Sequence, residues 1–193
     1  MPTRASIQQS VITRLGSEAP QSLADDTDEL VAIARIYPNV VETMLTKHAW
    51  TFARKTATLT VSAETPELPW LYSFPLPTDC LSVREVRRGY NTADYDKIGT
   101  NIVAMSADDL TLEYTAAVSE ERWPADFADA IEEETLGRMC EAFEMTERGA
   151  QFRQNAGRLL RMANARDARQ RPTRRGTNTR ALRAWYNRMA GRV

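Results

Sequence analysis

Histidine occurs once in this 193-residue chain, cysteine twice and glycine eight times. Each scarcity excludes a kind of chemistry. A lone histidine, His48, cannot complete a zinc set with Cys80 and Cys140, which show no C-x-x-C spacing. Two cysteines are too few for a disulfide framework, and both sit among apolar neighbours, so buried reduced thiols are expected. Gly89 and Gly99 stand alone as turn residues and form no phosphate-cradling loop. There is no G-x-S-x-G elbow. No apolar run follows the opening Met-Pro-Thr-Arg, which predicts no signal peptide, and none approaches the roughly 20 residues that span a bilayer. A soluble protein made in the cytoplasm, with no membrane contact, is expected.

Acid–base catalysis is poorly provided for as well. His48 lies beside Trp50 in a helical stretch, the setting of a structural histidine. Glu132, Glu133 and Glu134 form the densest acidic run. Successive helical residues point in different directions, so these three do not converge on one substrate, and a solvated face is expected. An enzyme reading would have to rest on a carboxylate such as Asp79 or Glu113. No catalytic residue, cofactor site or metal ligand is assigned, and the chain reads as a non-enzyme.

What the chain does have is a hidden charge asymmetry. Its net charge is −1, yet from Arg166 to Val193 it carries nine arginines and one acid, Asp167. That segment is +8, and residues 1–165 carry −9. An acidic body with a basic arm implies two different jobs. Arginine clusters hold phosphates and also dock on acidic protein grooves, and a solvated tail is the third reading. Leu182, Trp185, Tyr186 and Met189 recur at helical spacing within the arm. Trp, Tyr and Arg are common interface anchors, which favours a protein groove.

The pattern along the chain predicts an α+β fold. Ile7, Val11 and Leu15 mark a helix over 5–15 that ends at Gly16. Asp26 and Glu29 form a capping-box pair that opens a helical stretch over 27–52, with Pro38 kinking or restarting it. Alternating β-branched residues then predict strands at 55–62, 80–87, 95–98, 101–105 and 110–114. Pro66, Pro69, Pro75 and Pro77 make the intervening link extended and keep it out of a sheet centre. The β insertion covers about 55–117 and forms one small antiparallel sheet. Pro124 opens a helix over 124–145, which Gly149 ends or bends, and another helix follows over 150–170. Residues 1–170 make one domain, a helical bundle with the inserted sheet. Residues 171–193 make the extended basic arm, with a short helix.

Four segments occur in a telling order: HAWTFA at 48–53, LPTDCLSV at 76–83, IGTNIV at 98–103 leading to LTLEY at 110–114, and WPADFADA at 123–130. This order resembles the head-to-tail adaptor proteins of tailed bacteriophages, the tail tubular protein A type. That family repeats a PWNFA-like segment, an LPxDCLRV-like segment and a YxxxPxxFxxAL-like helix start. The likeness runs from about Asp26 to Gln170, with Ala49 in place of the usual proline. It implies a structural virion protein of the neck, assembled in the host cytoplasm. Such proteins form a homo-oligomeric ring, a dodecamer, beneath the portal. They join the portal to the tail nozzle or next tail protein while DNA passes through. The arm lies beyond the resemblance. Its portal-binding candidates are Arg174, Arg175, Arg180, Leu182, Arg183, Trp185, Tyr186, Arg188 and Met189. The alternative is a small DNA-binding or packaging-associated protein that uses the arm on nucleic acid.

Overall fold

The computed structural model describes residues 2–16, 28–89, 91–107 and 109–170. Helix α1 spans Arg4–Leu15. Thr3 and Ser6 cap it reciprocally, each side chain accepting the other's backbone N–H, and Gly16 closes it at φ 112°. Its buried face is Ile7, Val11, Ile12 and Leu15.

Helix α2 spans Asp28–Thr46 and continues through Pro38 without a break. The ring sits on the exposed side, between the buried residues Tyr37 and Val40. The expected stretch to residue 52 therefore ends early, at Thr46. The Thr43 and Thr46 hydroxyls donate back to the Asn39 and Glu42 carbonyls, a habit that weakens a helix end. The Trp50 indole Nε1 then donates to the Met44 carbonyl at 3.0 Å, satisfying one of the last turn's orphan acceptors. Asp26, the expected cap, lies outside the described residues.

The fold is α+β as expected, but the β insertion contains two antiparallel sheets where one was expected. In chain order its strands are β1 (Arg54–Leu59), β2 (Tyr72–Pro75), β3 (Cys80–Arg88), β4 (Asn91–Thr92), β5 (Tyr95–Ile98), β6 (Asn101–Ala104) and β7 (Leu110–Ala116). One antiparallel sheet has the order β1-β7-β3-β4 and the other β2-β6-β5. Strand β2 arises inside the proline-rich link. It lies at a sheet edge, where Pro75 removes no bond from a central ladder. Phe74, Val86, Ile102, Leu110 and Leu112 bury together within this module.

A single turn of 3-10 helix, Glu120–Arg122, leads into α3 (Ala125–Ala142) and α4 (Thr146–Gln170). The break between them is not at Gly149. It falls at Glu144, which takes the left-handed conformation at φ 61°. Gly149 lies within α4 and faces Gly137 of α3. A Cβ on Gly137 would stand 2.5 Å from Arg153 Cγ and 3.1 Å from the Gly149 carbonyl oxygen. The two glycines let the helix backbones approach. Helix α3 is the central element: α1, α2 and α4 all pack on it, while α2 and α4 barely touch each other. Val118 packs against both the helical core and the sheet core.

The Gly137→Ala substitution should lower stability by about 1–3 kcal/mol by overpacking. An ordinary helical Gly→Ala change gains roughly 1 kcal/mol instead, so the sign is diagnostic. A denaturation midpoint unchanged or raised in this variant would contradict the close crossing.

Candidate functional site: the seam and the exposed faces

Three of the four segments that carry the family resemblance, HAWTFA, LPTDCLSV and WPADFADA, contribute to the seam between helices and sheets. Trp50 and Phe127 are fully buried, with ring centroids 4.9 Å apart at 63°. Phe52 lies 5.0 Å from Phe127, and Trp123 meets Phe127 edge-on at 5.3 Å. Such edge-to-face and tilted pairs add to the area buried. The indole nitrogen of Trp123 donates to the Val118 carbonyl at 3.1 Å. Arg84 of β3 donates through Nη2 to the Trp50 carbonyl at 2.7 Å and through Nε to Thr115 Oγ1 at 2.9 Å. The Ala116 N–H donates to the Ala53 carbonyl, and the Ala117 N–H to that of Asp79. Sheet, loop and helix are thus tied at one place.

Asp167 closes the seam from α4. It is 5% exposed and accepts from the Thr51 N–H at 2.9 Å and from the Thr51 hydroxyl. His48 Nε2 lies 3.9 Å from the same carboxylate, and its ring stands edge-on to Trp50 at 5.0 Å. His48 belongs to this packing, as its sequence setting implies. Asp167 was missed as a key residue. Its signal was available, since it is the single acid among nine arginines. The next residue back, Arg166, pairs with Asp126 at 2.7 Å. The basic segment therefore begins inside the folded body.

The carboxylates weighed for chemistry are held in pairs. Asp79 receives Lys55 Nζ at 2.6 Å and the Tyr114 hydroxyl at 3.0 Å. The Lys55 hydrogen bond holds Asp79 below the usual carboxylate range, while burial, helped by Asp79, pushes Tyr114 up to about 12. Glu113 lies 3.3 Å from Arg54 and 4.0 Å from Arg87. The acidic run is not the solvated face that was expected. Arg14 of α1 takes Glu132 at 2.8 Å and Glu133 at 2.6 Å, whereas Glu134 is buried against Arg138. The fan-out is real, but each carboxylate meets a neighbour because α3 is covered on several sides. Cys140 is buried and Cys80 half-buried, both free, and burial raises each thiol. Among the described residues no three His, Cys, Asp or Glu side chains gather as a metal site requires.

No family model matches the chain, and no curated protein matches it. Among the described residues no helix is long and apolar enough to cross a membrane. The nine portal-binding candidates, Arg174 to Met189, lie outside the described residues.

Three surface features of the described body stand out. Val61, Leu68, Leu71, Ile98 and Met105 of the β module are exposed, Leu68 at 88%. They are five of the seven large hydrophobic side chains exposed among the described residues, so the apolar surface of those residues concentrates on one module. A groove of about 240 Å³ lies where α1, α2, β3 and the 3-10 turn meet, with Tyr37, Val41, Leu45, Leu81 and Val118 among its walls. Burial, reinforced by Glu120, pushes the Tyr37 hydroxyl far above its usual range, so it stays a donor to Glu120 at 3.2 Å. The third feature is the outer face of α4, where Arg158, Arg161 and Arg169 are exposed.

Two outcomes follow. Asp167→Ala should cost about 1–3 kcal/mol by stranding the Thr51 donor, with Trp50 fluorescence reporting a loosened seam. Stability and fluorescence equal to wild type would mean Asp167 does not hold it. Asp79 has a depressed folded pKa, so its contribution is complete above the ordinary carboxylate value and fades as pH falls through the folded one. Lys55→Ala should move the Asp79 titration, followed by carboxyl NMR, upward towards its ordinary value. A titration that stays put would remove Lys55 as the cause.

Proposed function

We propose that this chain is a structural head-to-tail connector of a tailed phage. It forms a ring, a dodecamer in the family it resembles, beneath the portal and joins it to the tail nozzle or next tail protein. Its place is then the neck of the virion, and its role is structural rather than catalytic. The observation that carries this reading is the seam. The HAWTFA, LPTDCLSV and WPADFADA segments, far apart in sequence, supply Trp50, Phe52, Asp79, Trp123 and Phe127 to one junction. A segment order that builds a working junction is stronger support than four short likenesses taken singly.

The rest of the surface agrees with a connector. A rigid junction lets a projecting β module transmit position from the helical layer to the next component. Its exposed Leu68, Leu71 and Met105 are fitting contacts for such a neighbour. The −9 charge of residues 1–165 repels phosphate, which favours free passage of DNA through a ring. The arm supplies basic and aromatic anchors for the portal, and repetition around a ring multiplies weak contacts.

Purified chain mixed with portal should co-sediment as a ring complex. Trp185→Ala should weaken that attachment by about 30-fold, the equivalent of about 2 kcal/mol, and leave the fold intact. Portal affinity unchanged by this substitution would remove Trp185 from the anchor. A folded chain that never binds portal would overturn the connector reading.

A further inference from the structure

A ring needs a contact by which each subunit grips the next, and the connector reading leaves that contact open. We propose that the outer face of α4 in one copy docks on the groove beside α2 in the next copy. The inference rests on the ring reading and adds the two surfaces that close it.

The α4 face is a defined stripe. Arg158, Met162, Ala165 and Arg169 recur at i, i+4, i+7 and i+11, one side of a helix, with Arg161 alongside. All five are exposed, Met162 at 50%. Other arginines of α4 are engaged: Arg153 with Glu141 and Arg166 with Asp126. Among the described residues no carboxylate pairs with Arg158, Arg161 or Arg169. Arg158 Nη1 instead points along the stripe, 3.8 Å from Met162 Sδ. The stripe is a thioether flanked by open cations.

The groove has the opposite character. Val41, Leu45, Leu81 and Val118 make its walls apolar, and Glu42 and Glu120 stand at its rim. Arg4 is there too, but it sits over the Tyr37 ring, 5.7 Å from the centroid. Glu42 is exposed and has no cationic partner among the described residues. An apolar floor with a carboxylate rim complements a methionine between arginines.

Helices α2 and α4 pack on α3 and barely on each other, so a subunit's own α4 cannot fill its groove. Two different, complementary patches on one molecule make a heterologous contact, and such contacts close into rings when the rotation per step permits.

The test compares self-association of the full-length chain by sedimentation velocity, with electron microscopy of the assemblies. Arg158→Glu with Arg161→Glu should weaken assembly at least about 10-fold, and Glu42→Arg should do the same, because each creates a like-charge contact. All three changes in one chain restore the opposite signs and should return assembly to within a few-fold of wild type. These positions are exposed, and an unchanged unfolding temperature verifies the fold. Wild-type-like assembly of the reversed variants, or a triple variant as weak as its parents, overturns the docking while leaving the ring. Salt-dependent DNA binding lost in Arg158→Glu with Arg161→Glu, with assembly intact, assigns the stripe to nucleic acid and overturns it as well. A wild-type chain that stays monomeric with and without portal takes down both the docking and the ring.

Discussion

One buried indole sets the relation between the two halves of this molecule. Trp50 must satisfy its ring nitrogen away from water, and the end of α2 offers the Met44 carbonyl at 3.0 Å. That bond turns the chain sharply after Thr46. It delivers Phe52 to the aromatic cluster and Arg54 to the start of β1. With Trp50 seated, its ring packs on Phe127, and its carbonyl receives Arg84 from β3. Helices and sheets are then fixed by aromatic packing and charge-assisted hydrogen bonds at the same few residues. The proposed connector role needs this property, since a flexible joint would transmit neither symmetry nor force.

The basic segment acquires a new meaning from the same site. It is not simply an arm appended to a finished body. Asp167, its one acid, is buried under the loop after α2, and Arg166 reaches Asp126. The root of the segment, Arg166 and Asp167, is therefore part of the seam. The charge of α4 also reaches further back than Arg166, through Arg158 and Arg161.

Much of the fold was readable where local pattern decides it. Period-two alternation marked β1 and β3, the four-residue step of Ile7, Val11 and Leu15 marked α1, and proline kept its link out of a sheet centre, although the strand β2 within that link was not expected. The failures share one cause: tertiary contacts overrode a local signal. Gly149 looks like a helix stop, but its missing Cβ serves the crossing with Gly137. The real stop uses Glu144 in a left-handed conformation that local preference would not choose. Residues 47–53 carry helix-compatible side chains, yet the Trp50 bond takes them out of the helix. The split into two sheets depends on β6 pairing with β2 and β5, partners no local pattern names. Of the candidate site, the aromatic seam could be glimpsed in the motif order and Asp167 stood out as the one acid of its segment, whereas its partner Thr51 and the groove walls from α1, α2, β3 and the 3-10 turn emerge only in the folded chain.

In the proposed connector a rigid two-part subunit assembles into a ring with its β module directed towards the next component. Electron cryo-microscopy of the full-length chain bound to portal addresses it most directly. A closed ring is expected, with helices forming the subunit-to-subunit belt and β modules projecting along its axis. A bound monomer, or a ring whose β modules swing independently of the helices about residues 47–53, would contradict it.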